Sequence, residues 1–548
     1  MKRLLSLFLL FSIVFSLFGC SGAGNTENTG ATQSTQISTT QETEPDEVII
    51  MDAGTPIPTQ TNARAYYHIF VGSFSDSNGD GIGDLRGIIE RFDYLNDGDD
   101  NSGKSLGVEG LWLSPIHPSS SYHKYDVKDY YTVDPKFGTL EDLKELIQLC
   151  KSRNVQLILD LVINHTSSQH PWFLKFREAH VTGNTSDPYY NYYSFAPDQP
   201  GNATFCALPG TQEYYEGNFS HEMPELNFDN PIVREEMVKV AQFYLEMGVD
   251  GFRFDAAKYI YYGDEPRNVE FWKWYMEQLR AIKPDLYAVA EVWDGDPITY
   301  PYFAALNCFN FSMSQASGQI ARAARNGAVS SYTDYVEQYI AEIQRQNPDA
   351  MPVTFITNHD MDRAAGFLMT ATGAAKVAAN LSLLMPGSSF IYYGEEIGML
   401  GSRGGSNTDA NRRLAMLWGD EDTVKDPVGA NYSAKQANGT VKDQLSDPNS
   451  LYNHYKKLIA LRKANPEIAN GVFTSLSIKE GRVGGFLSQY EGKTVAVIHN
   501  TTTDAVTIDL SKYPEIPADR LAGFAGVGTA SLDGTILTLD GQTSVILR

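Results

Sequence analysis

Cysteine is scarce in this chain, with four in 548 residues. Cys20 lies at the end of an N-terminal apolar run. Cys150, Cys206 and Cys308 are an odd number at no metal-like spacing, so a disulfide framework is not expected and the core must hold itself. Basic residues are also short, 43 Lys and Arg against 67 Asp and Glu, for a net charge of −24. That balance argues against nucleic acid as a partner, because phosphate backbones need a basic surface. It suits a soluble body working outside a cell. Long apolar runs are missing except for Leu4 to Phe18, which follows Lys2 and Arg3 and is too short to span a bilayer comfortably. From Gly22 to about Asn62 large apolar residues are few, so little surface can be buried against chain entropy.

These absences define the N-terminal organisation. Residues 1–19 read as a signal segment and residues 20–62 as a disordered tether, reaching very roughly 35 Å as a coil. The boundary Leu17-Phe18-Gly19-Cys20 resembles a bacterial lipobox. It implies cleavage before Cys20, acylation of its thiol and a membrane anchor on the extracellular face. Phe18 departs from the small residue usual there, and an ordinary signal peptide is the alternative.

Beyond the tether the chain is 42% apolar and aromatic-rich, with 31 Tyr. Eight short apolar runs alternate with helical stretches: residues 67–74, 110–115, 155–162, 251–255, 287–291, 305–311, 352–357 and 389–393. Helical period is clearest over 140–153, 231–247 and 268–282. Eight alternations predict an α/β fold, a (β/α)8 TIM barrel, over residues 63–165 and 229–468. Residues 166–228 interrupt it after the third strand, without helical period, as an inserted domain B; an excursion of that length is usually functional. Residues 469–548 change to short alternating strands and predict a C-terminal antiparallel β-sandwich.

Three carboxylates stand just past three of the strand candidates: Asp255 in GFRFDAAKY, Glu291 in AVAEVW and Asp360 in FITNHDMDR. Arg253 and Asp255, two apart on a strand, point to one face. Acidic groups converging from different strand ends build a barrel site for cleaving glycosidic bonds. DLVINH and these segments, in the family's order, with DSNGDGIGDL, YDVKDYY, MPELN and IYYGEEIGM flanking them, resemble glycoside hydrolase family 13, the α-amylase family.

The resemblance implies a retaining mechanism, with Asp255 as nucleophile, Glu291 as general acid and then base, and Asp360 gripping sugar hydroxyls. It implies substrate contacts from Tyr125, Asp126, His165, Arg253, Lys258, Tyr259, His359 and Arg413, with Asp126 either binding sugar or pairing with Arg413. Ala415 stands where the family has Pro, and Tyr259 where it has His, which bears on the sugar beyond the cleaved bond. By spacing alone Asp76, Asn78, Asp80, the Ile82 carbonyl and Asp84 fit an oxygen-ligand loop for a structural Ca²⁺, although Gly87 replaces the bidentate acid. A second site at Asn164, or the Lys258 ammonium filling that space, are both open. MPELN and DAAK point to the bacterial α-amylases between the oligo-1,6-glucosidase and neopullulanase groups. The expected protein is thus a monomeric, surface-tethered, endo-acting α-1,4-glucan hydrolase. An exo-α-glucosidase or oligo-1,6-glucosidase, a glucanotransferase and a non-catalytic glycan-binding lipoprotein are the alternatives.

Overall fold

A computed structural model describes Thr59 and residues 61–548, except residues 202–203, 370–372, 405–407 and 481. The expected signal segment, Cys20 and nearly all of the tether therefore lie outside the described residues. No helix among the described residues is long and apolar enough to cross a membrane. Cys150, Cys206 and Cys308 are free thiols.

Eight parallel strands form the barrel: Ala65–Ile69, Gly110–Leu113, Gln156–Leu161, Gly251–Phe254, Tyr287–Ala290, Asn307–Cys308, Val353–Phe355 and Ser388–Tyr392. Neighbours in chain order pair in register, and the eighth returns to the first through Tyr66↔Phe390. The ring closes between the sixth and seventh strands through one parallel bridge, Phe309↔Val353, where the Asn310 amide donates to the Val353 carbonyl at 3.0 Å. Two expected strands are corrected. The first ends at Ile69, because Val71–Ser73 winds into a 3₁₀ turn. The sixth keeps only two residues, because the amides of Ala305 and Leu306 still turn back onto the Tyr302 carbonyl.

Alternation along each strand decides what enters the barrel. Below, Tyr66 stacks between Tyr287 at 4.9 Å and Phe390 at 4.6 Å, beside Trp112, Ile158, Val289 and Phe309. Gly110 faces the Tyr66 ring, where a β-carbon would come within 2.3 Å of it, so only glycine fits. Two residues further along the same inward faces the chemistry changes: Ile158 is followed by Asp160, Gly251 by Arg253 and then Asp255, Val289 by Glu291. An apolar floor thus carries a charged upper layer at the C-terminal ends of the strands, where barrel sites are built.

The outer helices include Leu140–Ser152 and Pro231–Met247, within a residue of expectation, and Glu265–Ile282, which starts three residues earlier than expected because Asp264 caps it. Thr139 and Asp142 close a reciprocal cap on the first of these, and Asn230 followed by Pro231 starts the second, features each worth about 1 kcal/mol. Domain B holds a small three-stranded sheet, Phe195–Ala196, Tyr214–Glu216 and Phe205–Ala207. It also contains a helix, Pro171–Thr182, which corrects the expectation of no helical period. Phe173, Phe176, Ala179 and His180 form its buried stripe, but exposed Leu174 and Val181 blur the pattern. The C-terminal sandwich pairs a five-stranded and a three-stranded antiparallel sheet around Leu476, Ile498, Ile508, Leu537 and Val545.

Candidate active site

Arg253 organises the site. Its side chain is fully buried, and Nη1 donates to both oxygens of Asp160 at 2.8 and 3.0 Å and to Asp255 Oδ1 at 2.7 Å. Nη2 lies 3.0 Å from Glu291 Oε1, off the N–H direction, so this is a Coulombic contact without a directed bond. Directed donation to Glu291 comes from the Ala256 amide, 3.1 Å from Oε2. Ala256 has φ of +50°, the left-handed region that an alanine enters at a cost of about 1 kcal/mol or more, and the turn aims that amide across at the neighbouring strand end. Burial pushes the Glu291 carboxyl up to about 8; Arg253 opposes the rise, and the charges of Asp255 and Asp360 add to it. A neutral acid therefore sits beside the nucleophile candidate at neutral pH.

The third carboxylate is held differently. Asp360 Oδ1 takes the Arg413 Nη2 hydrogen at 2.6 Å and Oδ2 lies 2.9 Å from His359 Nε2. Burial alone would raise this group, but His359, Arg413 and Arg253 hold it well below the ordinary carboxylate range. Tyr125 stacks on His359 with ring centres 5.3 Å apart, and its hydroxyl donates to Asp160 at 2.9 Å and meets His359 Nε2 at 2.7 Å. His165 is buried with Nδ1 beside the Asn164 amide and Nε2 without a protein partner. Lys258 donates to the Trp293 carbonyl at 2.9 Å and to Asp294 at 3.0 Å, and Tyr259 packs beside it.

The fold decides against two alternatives that the sequence leaves open. Asp126 does not pair with Arg413: it accepts from the Ser119 and Ser121 hydroxyls and the Ser120 amide, while Arg413 is taken by Asp360, the Tyr122 hydroxyl and the His359 carbonyl. Lys258 does not fill the space beside Asn164, whose amide instead donates to buried Glu225. Asp160 was not among the candidates, although a charged residue at an inward barrel position two after Ile158 was a signal for it.

The loop 76–84 stands apart from this cluster. Asp76 accepts from the amides of Asn78, Gly79 and Gly81 and from the Thr423 hydroxyl; Asn78 accepts from Asp80, Asp80 from Ile82, and Asp84 from Ser77 and Gly87. The donors are the all-oxygen set of a hard cation. Among the described residues, though, no three acidic, His or Cys side chains converge into a cage. As it stands, the loop satisfies its oxygens with its own amides, the Gly87 amide and the Thr423 hydroxyl.

Residues 68–471 match the pattern described as Alpha amylase, catalytic domain. The chain belongs to the α-amylase family, glycoside hydrolase family 13. It is 38% identical over 440 residues to Alpha-amylase 3 of Dictyoglomus thermophilum, covering 79% of this chain and 84% of that one. It is 32% identical to an oligo-1,6-glucosidase of Parageobacillus thermoglucosidasius, over 74% of this chain and 84% of that one. Among solved structures it resembles Eubacterium rectale Amy13B, with a TM-score of 0.83 at 35% identity, over 90% of this chain and 96% of that one. Within the α-amylase family these names span amylase and glucosidase specificities.

Proposed function

We propose that this chain is a retaining, endo-acting α-1,4-glucan hydrolase of α-amylase type, acting on starch, glycogen or maltooligosaccharides from a lipid tether at the cell surface. One observation carries the mechanism: Asp255 and Glu291 contact the two terminal nitrogens of a single guanidinium, at 2.7 and 3.0 Å. Two carboxyls clamped so closely suit a retaining pair, about 5 to 5.5 Å apart, better than an inverting pair at roughly 6.5 to 9.5 Å. Asp255, held by one charge-assisted hydrogen bond from Arg253, attacks the anomeric carbon. Glu291, neutral at working pH, gives its proton to the departing oxygen and then takes one from the incoming water. Asp360, locked by Arg413 and His359, accepts from sugar hydroxyls, and Tyr125 offers its ring to the sugar at the cleaved bond.

The endo-acting reading is supported by the lack of a bond between Asp126 and Arg413. Such a bridge across the cleft would favour an exo-acting enzyme, and both partners are occupied elsewhere. Fresh product from maltoheptaose, followed by proton NMR, is expected as the α-anomer, with iodine colour on starch falling ahead of reducing ends. A β-anomer overturns retention, and glucose as sole first product overturns internal cleavage. Asp255→Asn or Glu291→Gln with native circular dichroism is expected to lose several powers of ten in turnover.

A further inference from the structure

Thr59, Thr61 and Asn62 have the composition of the tether, yet the barrel holds them. The Thr59 carbonyl accepts from Arg64 Nη2 at 2.9 Å and from the Asn154 side-chain amide at 3.2 Å, and its hydroxyl donates to Glu109. The Thr61 hydroxyl donates to Asn470 at 2.7 Å. Asn62 accepts twice, on its side chain from Gln156 at 2.9 Å and on its carbonyl from the Ser388 hydroxyl at 2.8 Å. Arg64 is buried, and its Nη1 also donates to the Glu109 and Asn154 carbonyls. The chain is thus fixed before the first strand begins at Ala65. That is the N-terminal end of the barrel, opposite the reactive carboxylates.

Thr59 lines two adjoining cavities. One, of about 240 Å³, is charged: Lys151, Arg153 and Lys463 stand against Asp100 and Glu109. The other, of about 180 Å³, has an apolar wall of Ala63, Pro466, Ala469 and Tyr490. Both also share Glu109 and Lys463, so together they make one groove with a charged half and an apolar half. The chain that reaches this groove at Thr59 carries matching chemistry. Between Gly22 and Pro58 every large aliphatic residue except Ile37 falls within residues 48–51 or at Ile57. Asp46, Glu47 and Asp52 flank the first of these runs, and the whole stretch has no Lys or Arg. Ile57 stands two residues before the pinned Thr59, within about 7 Å of chain. Pro56 and Pro58 fix φ on either side of it, so less backbone freedom is lost on docking.

We propose that this groove is the seat of residues 46–58 of the same chain. Ile57 and the aliphatic run at 48–51 cover the apolar wall, which removes their surface from water. Asp46, Glu47 and Asp52 meet Lys151, Arg153 and Lys463. Joined to the groove through Thr59, the segment is present at a concentration on the order of millimolar, ahead of any free partner. It is thereby held on the face opposite the reactive carboxylates, clear of the cleft that a polymer must enter.

Hydrogen–deuterium exchange on the purified full-length protein tests this, because residues 22–44 of the same molecule serve as the undocked reference. Amides of residues 46–57 are expected to exchange at least tenfold more slowly than those of 22–44, after correction for intrinsic rates. Two pairs of substitutions attack the contact from opposite sides: Ile50→Ser with Ile57→Ser in the segment, and Lys151→Glu with Tyr490→Ala in the groove. Each pair is expected to return the segment to the rate of residues 22–44, with kcat/KM on maltoheptaose within twofold of wild type. Equal exchange of the two stretches in the wild-type protein overturns the proposal. Protection that survives both pairs places the segment elsewhere and overturns it as well. Protection that appears only as protein concentration rises assigns the groove to a second copy and overturns it too.

Discussion

Arg253 holds Asp160 and Asp255 with the same nitrogen, at 2.8 and 2.7 Å, and all of Asp160's donors lie inside the barrel. Asp160 also receives the Tyr125 hydroxyl at 2.9 Å and the Trp112 indole at 3.3 Å. It therefore anchors the guanidinium from below and frees Arg253 to constrain the reacting carboxyls above. Removing it leaves the buried cation with Asp255 as its one directed carboxylate partner. Asp160→Ala is expected to cost about 3–5 kcal/mol, the usual result of breaking a buried ion pair. Arg253→Lys, which cannot fork, is expected to lower kcat by about 10²–10³. Urea unfolding and steady-state kinetics check the two, and a loss below about 1 kcal/mol for Asp160→Ala would show that the anchor is dispensable.

Much of this was legible because barrel chemistry follows strand parity. Asp255, Glu291 and Asp360 each follow a strand whose inward positions are readable, and the eightfold alternation needs only local patterns. What was missed depended on contacts between distant segments. Arg413 and Asp126 both had plausible long-range partners, and only the fold decides that Asp360 takes the arginine while three serine-segment donors take Asp126. The hairpin Ala530–Asp533 and Ile536–Leu539 is masked in the sequence because Gly534 and Thr535 make its turn within a continuous alternating pattern. The strand Leu521–Gly526 was hidden by its glycines and alanines, which pack against Leu461 and Thr543 with no side-chain signature.

The neutral Glu291 carboxyl sets the alkaline side of the pH profile. A general acid must be protonated to act, and burial first, then Asp255 and Asp360, carries its ionisation to about 8. The expected kcat/KM on maltoheptaose falls tenfold per pH unit above about 8. An alkaline limb starting below pH 6 would show that Glu291 is not the titrating acid.

Glu395 makes an independent prediction for stability. It is buried behind the eighth strand, accepts from Thr357 and Tyr455 at 3.0 Å, and burial raises it from an ordinary 4.5 to about 8. The folded state then keeps a proton that the unfolded chain gives up. Its contribution is present in full below pH 4.5 and is lost as the pH rises through about 8. Glu395→Gln is expected to flatten the decline in melting temperature between pH 5 and 8, read by scanning calorimetry. An unchanged slope would mean that this glutamate is already ionised in the folded protein.

We propose that the Asp76–Asp84 loop takes Ca²⁺, on the strength of its all-oxygen donors and their spacing. An ion that binds only the folded state stabilises by mass action, about 2.7 kcal/mol at a hundred times its Kd. Chelation is expected to lower the melting temperature and added Ca²⁺ to restore it, while Asp80→Asn, changing an exposed carboxylate, should blunt the response. A melting temperature indifferent to chelator, with no calcium in the purified protein, would leave the loop as a turn closed by its own amides.

We also propose that the mature protein begins at an acylated Cys20. The argument is the LFGC boundary after a short apolar run, followed by about forty residues too polar to fold alone. Two or more acyl chains hold a protein stably where one does not, so membrane partition should be complete and resistant to high salt. Cys20→Ser is expected to release the protein into the medium or to stop its processing. Intact-mass spectrometry decides: a mature N-terminus at Cys20 carrying the mass of its acyl chains is expected. An unmodified terminus at another residue would make this an ordinary secreted enzyme, with the bulk of Phe18 the physical reason that the boundary is not recognised.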